Sequence, residues 1–303
     1  MNAARRTDEG RASGARRITP ALLKAWPLPD PSGGTSKEDR GRVMVIGGSR
    51  QIPGAVLLTG IAALRAGAGK LQVATVADAA MSLVMSLPEA RVIGRPSDRA
   101  GAIRDLDGDA THCVRTAHSV VVGPGMDRSA ATQRVVRAVI ANAQGTIVLD
   151  AGALDALALA AFRRRRSAGV AMVLTPHAGE MAALLDTDED TVMANAETIA
   201  REFAQAWNVV LALKGPTTWI AAADGRMWVN TAGSVGLGTS GSGDVLAGVI
   251  AGLAARGATP EQAAVWGVSL HARAGARLSR RHGQVGFLAR EISGEIPALM
   301  HGL

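Results

Sequence analysis

Tyrosine is absent from this chain, cysteine occurs once, and aromatic residues make up only 3% of its 303 positions. The single cysteine, Cys113, rules out an intramolecular disulfide and leaves no thiolate cluster for a metal. A reducing, cytoplasmic compartment is therefore expected. With three phenylalanines and five tryptophans, few rings are present on which nucleic-acid bases could stack. No apolar run approaches the roughly 20 residues of a membrane span, because Gly, Arg or Asp interrupts each one. The N-terminus is basic but carries no apolar stretch of the secretion-signal kind. A core must then be built mainly from Ala, Val, Leu and Ile, and a composition 48% hydrophobic supplies them.

Positive charge is in modest surplus, with a formal net of +7. Residues 1–17 contribute a net +3, from Arg5, Arg6, Arg11, Arg16 and Arg17 against Asp8 and Glu9. The rest is spread thinly, so the pattern is a basic tail on a mildly cationic body. That suits an anionic metabolite at least as well as a polynucleotide. Residues 1–17, polar and rich in Gly and Arg, are expected to be a disordered basic arm, followed by one domain over 18–303.

From Arg42 onward, short β-branched runs alternate with Ala/Leu-rich helical patterns. Strands are expected at Val43–Ile46, Leu71–Thr75, Ser119–Val122, Thr146–Leu149, Val170–Leu174 and Val209–Leu213. Helical spacing covers Val56–Arg65 and Thr132–Ala141 between them. Such alternation implies βαβ units and a doubly wound, mostly parallel sheet with both faces covered. Asp224-Gly225, between Thr217–Ala223 and Met227–Asn230, marks a hairpin. Asp244–Arg256 then reads as a buried helix closed by Gly257.

The most informative stretch is Gly233–Leu253. Five glycines and four Ser/Thr residues lead to Asp244, where the helix pattern begins. Glycines let backbone N–H groups approach a ligand, and a helix N-terminus adds unpaired donors and partial positive charge. The combination is an anion cradle suited to phosphate. An acid among such donors is expected to stay ionised, ready to take a proton from a hydroxyl. Two other glycine clusters fail as phosphate motifs. Ala66–Lys70 lacks the P-loop's earlier glycine, at Leu64, and its hydroxyl, at Leu71; Gly123-Pro124-Gly125 has no third glycine. Arg163–Arg166 reads as a solvated helix end, where cations favour the dipole.

Four further segments fall at expected strand C-terminal ends, where open α/β sheets bind ligands. They are Gly47-Gly48-Ser49, Gly123-Pro124-Gly125, Thr175–Glu180 and Lys214–Thr218. Taken one at a time, each has a plain structural explanation: Thr175-Pro176 as a helix start, His177 as a surface histidine, Lys214-Gly215 as a turn. Together with GRVMVIGGS, GAVLLTGIAALRAGAG, VLDAGALDAL and GTSGSGDVLAGVIAGLAARG, they make the chain resemble the ADP-dependent NAD(P)H-hydrate dehydratases over roughly Ile18 to the C-terminus.

The resemblance implies a ribokinase-like three-layer α/β/α sandwich and dehydration of the S form of NADHX or NADPHX, with ADP as co-substrate and AMP and phosphate released; because phosphoryl transfer normally needs a cation to offset phosphate charge, Mg²⁺ is expected as well. It also implies a homotetramer, and a dehydratase without the N-terminal epimerase domain that many members carry. Residue by residue, it gives Ala55, Gly125 and His177 to the hydrated dinucleotide. Lys214, Gly215, Pro216, Thr217 and Thr218 go to the adenine nucleotide, with Gly243 beside its phosphates. Asp244 is the catalytic acid/base, Gly241, Ser242 and Gly243 are the phosphoryl cradle, and Glu180 is a candidate to hold the metal through water. The chain departs from the family pattern at Ser234, Ser240 and Ser242, which replace Asn, Gly and Thr, and at Gly152, which replaces an acid. Three rival readings remain at this stage: a ribokinase-like small-molecule kinase, a catalytically silent nucleotide-binding protein, and a nucleic-acid-binding protein resting on charge alone.

Overall fold

A computed structural model describes residues 14–30, 36–165 and 169–303. Among them, ten strands form one sheet: β1 (Arg16–Arg17), β2 (Arg42–Ile46), β3 (Lys70–Val76), β4 (Ala90–Arg95), β5 (Ser119–Val122), β6 (Thr146–Leu149), β7 (Met172–Leu174), β8 (Val210–Leu213), β9 (Thr218–Ala221) and β10 (Met227–Asn230). The helices are α1 (Pro20–Ala25), α2 (Gly54–Arg65), α3 (Ala77–Ser86), α4 (Gly108–Thr116), α5 (Ala130–Asn142), α6 (Ala156–Arg165), α7 (Ala178–Leu185), α8 (Glu189–Ala194), α9 (Ala196–Trp207), α10 (Ser242–Ala255), α11 (Pro260–His282) and α12 (Ala289–His301).

The spatial order of the sheet is β1-β10-β9-β8-β7-β6-β5-β2-β3-β4. From β8 to β4 all neighbours are parallel; β9 runs against both β8 and β10. Side chains alternate between the faces with the strand period of two. Val43, Val45, Val121 and Val148 face a core shared with α2, α10, α11 and α12. Met44, Ile46, Val120, Val122 and Ile147 face a second core with α4, α5, α6 and α9. The result is the expected α/β/α sandwich.

Chain order reverses between β2 and β5, so the switch point lies where Gly47-Gly48-Ser49 and Gly123-Pro124-Gly125 emerge. There the Gly48 N–H donates to the Pro124 carbonyl at 2.7 Å. Ala66–Lys70 is instead the α2–β3 turn, at the opposite ends of the strands. Two glycines set how close α10 lies to α2. A Cβ on Gly248 would stand 2.2 Å from the Thr59 carbonyl oxygen, and one on Gly252 2.4 Å from that of Ala63. Any side chain at either position would push α10, and the loop before it, away from α2.

Three expectations need correction. Of residues 1–17, those up to 13 lie outside the described residues, but Arg16 and Arg17 pair with Trp228 and Val229 as an edge strand. The ordered body therefore starts before Ile18. The strand pattern does not anticipate β4. Arg163–Arg166, with Arg166 outside the described residues, is more than a solvated end: the Arg163 guanidinium lies 5.0 Å from the Trp207 ring centroid. Arg165 donates to the Ile140 and Ala143 carbonyls at the C-terminus of α5.

Candidate active site

Three adjacent parallel strands end on a polar residue. Asp150 follows β6, Thr175 follows β7 and Lys214 follows β8, each one position beyond the last apolar residue. Strand pairing fixes their spacing, with Leu149 opposite Leu174 and Leu174 opposite Leu211. The Thr175 hydroxyl donates to Asp150 Oδ1 at 2.7 Å, and Lys214 Nζ donates to the same oxygen at 3.1 Å. Lys214 Nζ also lies 3.7 Å from Glu180 Oε2.

Glu180 and His177 hold each other in a capping box at the start of α7. The His177 N–H donates to Glu180 Oε2 at 2.8 Å, while His177 Nδ1 accepts from the Gly179 and Glu180 N–H groups. The His177 ring itself is exposed.

Facing this cluster is the start of α10. Gly241, at φ +87°, turns the chain into the helix in a conformation that a side chain would strain. The Ser242 N–H donates to Thr239 O, and the Val245 N–H to Gly241 O. Among the described residues, no backbone acceptor takes the N–H of Gly243 or Asp244. These two amides, with that of Gly241, for which no acceptor is seen either, are the donors open to an anion, whereas the Ser242 amide is engaged. A Cβ on Gly243 would lie 3.3 Å from Lys214 Nζ and 3.8 Å from Asp150 Oδ2, so helix start and strand ends almost touch.

A cavity of about 850 Å³ opens here. Its walls include His177, Glu180, Lys214, Gly215, Pro216, Thr218, Gly241, Ser242, Gly243 and Asp244, so most residues expected from the sequence meet in one place. Thr217, Ala55 and Gly125 are not in its lining. Ala55 and Gly125 pack together at the switch point, where a Cβ on Gly125 would stand 2.8 Å from that of Ala55. Ala55 is nonetheless one turn from Leu58 on α2, and Leu58 abuts Gly241.

Electrostatics overturn one expectation. Asp244 is not held ionised by the cradle; its carboxyl is pushed up to about 7. Burial is the main cause, the Asp150 carboxylate adds to it, and Lys214 only partly offsets them. Burial pulls Lys214 down, but Asp150, Glu180 and Asp244 outweigh it and the ammonium sits above its ordinary range. A carboxyl poised near neutrality is matched to accepting a proton from an alcohol.

Three residues of this site have no role assigned from sequence. Asp150 is 2% exposed and joins Thr175 to Lys214; its readable signal is an acid directly after the apolar run Ile147-Val148-Leu149. Asn230 donates from Nδ2 to the Ala232 carbonyl and fixes one cavity wall. His271, on the buried face of α11, places Nε2 3.0 Å from both Ser242 O and Ser242 Oγ. A histidine in an apolar helix face is its only mark.

For a metal, no group of three or more His, Cys, Asp or Glu residues able to hold an ion occurs among the described residues. Glu180 Oε2 is already engaged by the His177 N–H and Lys214. The carboxylate oxygens of Glu180 and Asp150 suit Mg²⁺ as outer partners, reached through water or phosphate, and not as a closed cage.

Comparison with known proteins agrees with this geometry. A family model described as NAD(P)H-hydrate dehydratase matches residues 43–298. The chain is 48% identical to the ADP-dependent (S)-NAD(P)H-hydrate dehydratase of Xanthomonas campestris, over 95% of this chain and 97% of that protein. It spans about half the length of bifunctional relatives: the NAD(P)H-hydrate repair enzyme of Moorella thermoacetica is 37% identical over 95% of this chain and 54% of its own. Among solved structures, the ADP/ATP-dependent NAD(P)H-hydrate dehydratase of Bacillus subtilis, co-crystallised with ATP and Mg²⁺, superposes with a TM-score of 0.82 at 29% identity, covering 96% of this chain and 99% of that one. A ribokinase-like superfamily protein from Enterococcus faecalis gives 0.76 at 28% identity, covering 96% and 97%. On its parallel sheet, its phosphate cradle and this span of likeness, the chain belongs to the NAD(P)H-hydrate dehydratase family.

Proposed function

We propose that the chain dehydrates the S form of NADHX or NADPHX to NAD(P)H, consuming ADP and releasing AMP and phosphate. The observation that carries this reading is Asp244, an acid with its pKa pushed up to about 7 at the mouth of a helix whose first turn lies beside Lys214. Hydroxide is a poor leaving group and phosphate a good one. Asp244 accepts the proton of the hydrate's ring hydroxyl while that oxygen attacks the terminal phosphorus of ADP. The bond from that phosphorus to the bridging oxygen breaks and AMP departs. Phosphate then leaves with the former hydroxyl oxygen and the C–O electron pair, the neighbouring ring carbon gives up a proton to the departing phosphate or to water, and the ring recovers its double bond.

The Gly243 and Asp244 amides, the Ser242 hydroxyl and Lys214 hold the migrating phosphoryl group. Lys214, Gly215, Pro216 and Thr218 line the nucleotide's place, and Thr217 lies between them in the chain without reaching the cavity. His177, Ala55 and Gly125 extend the binding surface toward the switch point for the dinucleotide. A cavity of about 850 Å³ suits one nucleotide, which supports placing the rest of the second ligand outside it, toward the switch point.

Among the described residues, Lys214 is the one lysine or arginine in the cavity lining, against three carboxyl groups, so these walls have no positive surplus to offset ADP. That imbalance supports a divalent cation carried in with the phosphates and held on its outer side by Glu180. When bound, Mg²⁺ neutralises phosphate charge. ADP affinity measured with and without Mg²⁺ tests this.

The deciding experiment incubates the purified protein with NADHX and either ADP or ATP and follows the absorbance of restored NADH. No recovery, together with phosphorylation of a small alcohol, would establish the kinase alternative instead. The homotetramer is read from the family resemblance, and light scattering on the purified chain tests it. A cytoplasmic setting is supported by the buried single cysteine; among the described residues, no helix is long and apolar enough to cross a membrane.

A further inference from the structure

We infer that His271 is a positioning residue that orients the Ser242 hydroxyl toward the phosphoryl group. The inference rests on the phosphoryl-transfer reading of the site and assigns a part to a residue outside the glycine loop. His271 is 9% exposed, and both it and Ser242 line the cavity. Its Nε2 lies 3.0 Å from the Ser242 carbonyl oxygen and 3.0 Å from Ser242 Oγ. A carbonyl oxygen can only accept, so Nε2 must carry the ring proton. That N–H is then shared with Oγ, which accepts and turns its own hydrogen away from the ring.

No other group among the described residues accepts from Ser242 Oγ. The hydroxyl proton is left to a ligand oxygen beside the free Gly243 amide. Burial holds the imidazole down at about 4, so His271 adds no charge to compete with Lys214. An aliphatic side chain of similar size would fill the α10–α11 contact without the cost of burying a polar ring. Packing alone does not explain a histidine here.

Variants separate orientation from packing. Gln places an N–H donor where Nε2 stands, whereas Asn places it near Nδ1. H271N should lower kcat by roughly tenfold or more, as expected for a misaligned phosphoryl donor, and H271Q should recover most of that loss. ADP affinity should move far less than kcat in both. S242A should lower kcat by roughly 10²-fold, and S242A/H271N should be no slower than S242A within about twofold, because His271 acts through Ser242. Multiplicative losses, or H271N at near wild-type kcat, would overturn the inference.

Thermal unfolding with and without ADP verifies that each variant is folded. ¹⁵N NMR of the histidine rings in the wild-type protein decides the question even if H271N does not fold: an Nδ1-protonated His271 overturns the inference, and an Nε2-protonated ring supports it. Wild-type turnover of NADHX is measured first. If it is absent the dehydratase reading fails, while the tautomer still decides the orientation of Ser242.

Discussion

Asp244→Asn separates what this carboxyl costs from what it does. Its pKa moves from 3.8 in the unfolded chain to about 7 in the folded protein. The folded state therefore binds more protons than the unfolded state between these values, and stability from this group falls as pH rises through that window. A shift of about three units corresponds to about 4 kcal/mol of folding free energy lost by pH 8 and almost none at about pH 3, below both values. Asparagine removes the charge and keeps the shape. At pH 8 the variant should unfold several degrees above the parent, at about 2 °C or more per kcal/mol for a chain of this size. At about pH 3 the two should unfold together. Turnover of NADHX should be lost by roughly 10²–10⁴-fold at every pH, with ADP binding retained. Paired thermal scans at the two pH values and the NADH absorbance assay make the measurement. Equal stability of parent and variant at pH 8 would refute the burial argument, and near-normal turnover would refute the catalytic one.

The pH profile of kcat/KM should rise about tenfold per unit and level off near 7, since the ionised base is the active form. Asp150→Asn should shift that inflection downward by removing the nearby like charge; an unchanged inflection would take Asp150 out of the account. Lys214→Met removes the cation that lowers Asp244, so the inflection should climb and ADP should bind at least about tenfold more weakly; titration calorimetry and the same profile check both. Gly152→Asp, which restores the acid common in the family, should destabilise the protein. Its Cβ would stand 2.1 Å from the Met126 carbonyl oxygen and 2.6 Å from the carbonyl carbon, and overpacking against backbone costs about 1–3 kcal/mol or more. An unchanged Tm would show that the 126–127 segment yields.

What can be read from the sequence is what is local. β5 and β6 are readable to the residue because each is a short β-branched run, buried on both faces or nearly so. β4 is not: at the edge of the sheet it mixes Arg91, Gly94 and Arg95 with apolar residues, and its arginines pair with Asp105, Asp107 and Asp109 far from the strand pattern. β1 is two arginines whose only strand signal is their pairing with β10, a partner more than two hundred residues away.

The site divides in the same way. Gly241, Ser242, Gly243 and Asp244 are contiguous, and a cradle of glycine, hydroxyl and helix start is written in neighbouring letters. Asp150 becomes a site residue only through Thr175, 25 positions on, and Lys214, 64 positions on. His271 acquires meaning through Ser242, 29 positions earlier. The ionisation of Asp244 escapes a sequence reading for the same reason. Local donors favour the charged form, but burial and the carboxylate of Asp150, both products of the assembled sheet, outweigh them. The type of chemistry is therefore legible from short spacing, whereas the proton affinity that sets its working pH is a property of the folded strand ends.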